Sequence, residues 1–69
     1  MTDHVYKKVE LVGSSKVSVE AAIENAIETA ADTLKHVEWF EVMDTRGQIE
    51  NGSVAYYQVT LKVGFRIQH

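Results

Sequence analysis

Apolar and polar residues alternate along three stretches of the chain and recur at helical spacing along a fourth. The first alternating stretch runs roughly His4–Val12, where Val5, Lys7, Val9 and Leu11 interleave with Tyr6, Lys8, Glu10 and Val12. Neither set is wholly polar, so the strand it predicts has both faces partly covered. Gly13-Ser14-Ser15 is expected to end it, because glycine and serine accept turn geometry. Ser18 is placed as an N-cap, its hydroxyl free to accept an otherwise unpaired amide proton of the first helical turn. From Val19 the apolar residues fall at Ala22, Ile23, Ala26, Ile27, Ala30 and Leu34, one stripe of an amphipathic helix. Alanine dominates that stripe, which lets the helix lie close to a sheet. Glu20 sits at the positive end of the helix dipole, and Lys35 and His36 suit the negative end. Glu20, Glu24 and Glu28 form an acidic line that reads as a solvated face in preference to a cation site.

The second strand is placed roughly at Val37–Thr45, with Arg46-Gly47 as a bulge or the start of a loop, since glycine permits the backbone of a bulge. Asn51-Gly52 is a strong two-residue hairpin signal. The third strand, Val54–Ile67, is the clearest. Its odd positions, Ala55 through Ile67, are apolar or amphipathic, and its even positions include Tyr56, Gln58, Thr60, Lys62, Gly64 and Arg66. Strands two and three form an antiparallel hairpin. The longest and most apolar strand belongs in the centre. The expected fold is therefore α+β, a β-α-β-β unit with a three-stranded antiparallel sheet in the order 1-3-2 wrapped on one helix. Residues 1–69 are read as a single domain. One helix covers one face, so the second face must meet solvent, a ligand or another subunit.

At 69 residues, the chain belongs to a size class that buries only about 60 % of the surface its unfolded form exposes. Such folds need a staple. Cysteine is absent, which removes disulfides and thiolate metal sites. His4, His36 and His69 are far apart and lack the paired spacing of a zinc site. Oligomerisation remains. The formal net charge is −3, and Lys7-Lys8 is the only adjacent basic pair, a poor match to the basic patch of a nucleic-acid binder. No stretch approaches the roughly 20 apolar residues of a membrane span, and no signal peptide is visible. The expected location is the cytoplasm.

Trp39 is the most informative residue. With a two-residue turn at Asn51-Gly52, Trp39 lies opposite Gly64, on the face away from the helix, where the glycine leaves room for an indole. Gln58 falls on the same face by parity and is expected nearby. A large apolar side chain on a non-core face implies a covered surface. Parity alone fits a ligand-free interface tryptophan better than a ligand site, and a one-residue slip near Arg46-Gly47 would turn the side chains to the other face. Gln58 offers donors and an acceptor to an amide-like ring edge, and an indole beside it would stack a flat heteroaromatic. Arg46 and Arg66 could grip a phosphate or serve as surface charge. No serine is linked to a histidine and an acid, and no carboxylate spacing argues for acid–base work, so catalysis is not expected.

The segments VYKKVELVGSS, VEAAIENAIETAADTL, VEWFEV, the RG that follows and YYQVTLKVGFR together resemble the dodecin family over nearly the whole chain. The nineteen-position separation of Trp39 and Gln58 is similar to the family's as well. The resemblance implies a hollow homododecamer of β-α-β-β subunits that binds flavins in stacked pairs between symmetry-related tryptophans and catalyses nothing. By that resemblance Trp39 stacks on the flavin, Gln58 bonds its pyrimidine edge, and Arg46 and, less directly, Arg66 join the site. The pattern is similar to the bacterial branch, which implies FMN, with riboflavin or FAD as alternatives. Some bacterial members also bind coenzyme A at the shell. The implied role is flavin storage, buffering and photoprotection. The competing expectation is an oligomeric scaffold with a tryptophan-lined interface and no flavin.

Overall fold

A computed structural model describes residues 3–67. The element order is β1 (Tyr6–Ser15), α1 (Val19–Thr33), β2 (Val37–Glu50) and β3 (Ser53–Arg66). The three strands form one antiparallel sheet in the order β1-β3-β2, as the connectivity predicts. Ser18 caps α1: the Ala21 N–H donates to Ser18 Oγ at 3.0 Å, a bond of the kind worth about 1 kcal/mol. The core is thin. Val59, Leu61 and Val63 of β3 are 0 % exposed and pack under Ala22, Ala26 and Ala30 of α1, with Val9, Leu11, Val19, Ile23, Ile27, Leu34 and Val37 around them. The small alanines set a close helix–sheet approach, and the three branched residues fill it.

Gly13-Ser14-Ser15 does not end β1. The strand continues through all three, with Gly13 opposite Val59, Ser14 opposite Gln58 and Ser15 opposite Tyr57. Gly13 is buried where α1 crosses, and a Cβ there would run into the Ala22 carbonyl oxygen and the Ala26 methyl. Close approach of the helix, and not a turn, is what this glycine supplies. The chain leaves the sheet at Lys16, helped by the Val17 N–H donating to Ser15 Oγ at 2.9 Å. At the other end of α1, Lys35 and His36 lie beyond the last turn, which contains no basic residue. His36 instead adopts a left-handed backbone, φ 62°, to reverse the chain into β2.

The hairpin turn is as expected: Asn51 and Gly52 have φ of 53° and 77°, the paired positive values of a type I′ turn. β2 is longer than expected and runs through Arg46-Gly47 to Glu50 without a bulge at that pair. The irregularities lie elsewhere. Ala55 of β3 is skipped between Val54 and Tyr56, and Met43 of β2 between Val42 and Asp44, while beyond the tryptophan Glu38 is skipped between Val37 and Trp39. The first shifts the ladder by a residue and the second shifts it back. Trp39 therefore does face Gly64, although the ladder between turn and tryptophan is interrupted twice.

The subunit is elongated, 56 × 20 × 13 Å, with a Cα radius of gyration of 14.4 Å. A compact chain of this length would measure about 11 Å. The excess comes from the outer half of the β2–β3 hairpin, which runs on beyond the part of the sheet that α1 covers. No β2 residue is buried. Phe40, Val42, Met43 and Ile49 are exposed, as are Val5, Val12 and Val17 elsewhere. Apolar surface on this scale in so small a body marks contact with other chains.

Candidate functional site

The face of the sheet away from α1 carries Tyr6, Lys8, Glu10, Val12 and Ser14 from β1, and Trp39, Glu41, Asp44 and Arg46 from β2. Between them β3 contributes Gln58, Thr60, Lys62, Gly64 and Arg66. The indole of Trp39 folds across β3, and its six-membered ring lies over Gly64, where any Cβ would overlap it. It remains 40 % exposed. Tyr6 meets it from β1, edge to face, with ring centroids 5.1 Å apart at 72°. Lys8, also opposite Gly64, spans the sheet to Glu41 at 2.5 Å. That bond and the lysine's charge hold the Glu41 carboxyl below the usual carboxylate range.

Arg66 shares this end of the sheet. It stands opposite Tyr6, with Nη2 3.4 Å from His36 Nδ1 and Nη1 3.8 Å from Glu38 Oε2. Gln58 and Arg46 occupy the other end. They face each other across the β2–β3 ladder, and Arg46 Nη2 lies 3.4 Å from Asp44 Oδ2. Gln58 borders a hollow of about 430 Å³ with Ser14, Ser15, Lys16 and Tyr56.

The four candidate residues thus share one face, as parity requires, but fall into two groups. Gln58 is six residues from Gly64 along β3, about 20 Å at strand rise. The expectation that Gln58 lies near Trp39 is corrected: within one chain they are farther apart than a tricyclic ring can bridge. A strand parity argument fixes the face of a residue but says nothing about its distance along the strand. Tyr6 and His36 were not singled out from the sequence as part of this face. The hairpin turn that located Trp39 fixes β2 against β3 only; the register of β1, which brings Tyr6 opposite Arg66, has no turn to set it. The left-handed backbone at His36 has no sequence signal, since glycine or asparagine would be the usual residue there.

On the helix side, Glu20, Glu24 and Glu28 border a strip of Ile23, Ile27 and Phe40 with a hollow of about 440 Å³. Among the described residues, no group of three or more His, Asp or Glu is placed to hold a metal ion. No helix among them is long and apolar enough to cross a membrane.

These features define a class: a small α+β subunit with a half-covered sheet, an aromatic platform on the uncovered face, and apolar edges suited to further copies. The chain belongs to the dodecin family, whose model matches residues 5–68. It is 55 % identical over 64 residues to a dodecin of Thermus thermophilus, covering 93 % of each chain. Its structure superposes on the dodecin of Streptomyces coelicolor with a TM-score of 0.94 at 48 % identity, covering 100 % of this chain and 99 % of the other. It also matches a Thermus thermophilus dodecin variant in which a tryptophan is replaced by phenylalanine, with a TM-score of 0.92 at 51 % identity and coverage of 97 % and 100 %.

Proposed function

We infer that this chain stores and buffers flavin, FMN first among the flavins, and shields it from light, within a hollow shell of twelve copies in the cytoplasm. Flavins stack in pairs between the Trp39 side chains of neighbouring subunits. The protein binds and holds its ligand without turning it over. The observation that carries this reading is the indole laid over Gly64 on the uncovered face. An aromatic platform set there is available to a flat ring, and stacking a base-like ring on an aromatic is worth about 1–3 kcal/mol.

The separation of the two residue groups supports the same reading. A ring stacked on Trp39 cannot reach Gln58 of the same chain, so the glutamine that reads its polar edge comes from a second copy. The site is then completed only by assembly, and the exposed apolar residues of β2 supply the reason to assemble. A flavin enclosed by a second flavin and an indole offers no open face to a substrate, which favours storage over redox turnover.

Protein purified without added cofactor is expected to absorb in the visible, and denaturation should release a flavin identifiable by chromatography. Light scattering should give the mass of twelve chains. A colourless shell that takes up neither FMN nor riboflavin would return Trp39 to the role of a ligand-free interface residue.

A further inference from the structure

The left-handed residue His36 is held to Arg66 at two points. Its carbonyl accepts the Arg66 backbone N–H at 3.1 Å, and its Nδ1 lies 3.4 Å from Arg66 Nη2. A guanidinium only donates and stays charged. Nδ1 can therefore accept only while the imidazole is neutral, with its proton on Nε2. Imidazolium has no lone pair to offer and repels the guanidinium. On the other side, Glu38 lies 3.8 Å from Nη1. Both terminal nitrogens of Arg66 are thus turned toward the start of β2.

We propose that His36 is a positioning residue for Arg66: neutral, it holds Nη2 of the guanidinium, and protonated, it frees Nη2 for the phosphate of a bound flavin while Nη1 stays beside Glu38. The proposal rests on the flavin reading above. The charged and titratable groups around the pair are few. β2 brings Glu38, the α1–β2 connection brings Lys35, and β3 brings Arg66 itself. β1 brings Tyr6 opposite Arg66, with His4 edge-on to Tyr6. The end of α1 contributes the uncharged Thr33 and Leu34. Protonation of His36 acts twice in the same direction. It releases Nη2 of Arg66, and it adds a positive charge beside the place an anion would take.

Two substitutions fix the two states without straining the backbone. Asparagine tolerates the left-handed conformation and offers a neutral acceptor at every pH, so His36→Asn keeps Arg66 held. Glycine accepts the same backbone and offers no acceptor, so His36→Gly keeps it free. The experiment titrates wild type and both variants with FMN and with riboflavin at pH 8 and pH 5.5, a range across which imidazole changes charge. The phosphate itself loses charge near pH 6, equally for all three proteins, and comparison at each pH removes that effect. His36→Gly should prefer FMN over riboflavin more strongly than His36→Asn does, by roughly fivefold, the scale of one partly exposed ion pair. Wild type should match His36→Asn at pH 8 and move to or beyond His36→Gly at pH 5.5. Riboflavin affinity alone should differ little among the three. If the FMN preference of all three proteins is equal at both pH values, His36 does not act through Arg66 and the proposal is overturned while flavin binding stands. If none of them binds either flavin, the flavin reading fails and the proposal falls with it.

Discussion

The two edge strands of this sheet live under different conditions. β1 is backed by α1: Leu11 and Val9 pack toward the buried β3 residues, and Gly13 lets the helix press onto the strand. β2 has the same partner strand and a comparable ladder, yet the helix barely reaches it and no residue of it is buried. Backbone hydrogen bonds alone hold a two-stranded ribbon poorly in water. The difference divides the protein into a part that its own chain stabilises and a part that neighbouring copies must cover. The second part is also where Trp39 stands, so on the proposed reading covering it and building the flavin site are the same event.

The sharpest way to break the self-sufficient part is at Gly13. Valine there forces the helix off the sheet against backbone as well as side chain. Overpacking of this kind costs about 1–3 kcal/mol and occasionally more, and Gly13→Val should lie at the upper end, seen in urea unfolding as a lowered midpoint or as loss of folded protein. The dependent part is probed at Phe40, which is 46 % exposed in the subunit. Phe40→Asp should lower the particle mass in light scattering while circular dichroism retains helix and sheet. The loss per subunit should be about 1.5–3 kcal/mol, the burial value of such a side chain. A full-size particle with unchanged stability would show that β2 is not covered by neighbours.

The smallest effect belongs to Lys8–Glu41, which ties β1 to β2 across the sheet. The folded Glu41 carboxyl is held below its ordinary value by Lys8. Its contribution is therefore present above the ordinary carboxylate range and fades as pH falls through the folded value. Thermal midpoints of wild type and Glu41→Gln should differ slightly at neutral pH, converge in acid, and converge at neutral pH in high salt, because exposed pairs are screened. A difference that persists in acid would have to come from something other than the ion pair.

The same division explains what the sequence made legible. Periodicity works where one face is buried and the other is not. It located α1 and β3, and with the Asn51-Gly52 turn it set the strand order. β2 past Thr45 has no buried face in the subunit, so Arg46 to Glu50 carry no alternating signal although they are paired to β3 throughout. Gly13-Ser14-Ser15 misled because a glycine that admits a helix and a glycine that makes a turn look alike in sequence. Counting back from the turn puts Trp39 opposite Gly64 only if the ladder is unbroken or its breaks cancel. They cancel: the irregularities at Met43 and Ala55 offset each other. The distance between Trp39 and Gln58 was not legible from parity, which records only the face.

The central claim is that Trp39 stacks on flavin within a site that two copies complete. A fluorescence titration of FMN with wild type and Trp39→Ala tests it directly, with particle size followed by chromatography. Wild type should extinguish nearly all flavin emission, since an electron-rich indole in contact donates to the excited ring, and should saturate at one flavin per chain. Trp39→Ala should remain assembled and bind FMN more weakly by about 1–3 kcal/mol or more, the value of one lost stacking face. A Trp39→Ala particle that binds and quenches FMN as well as wild type would contradict the account.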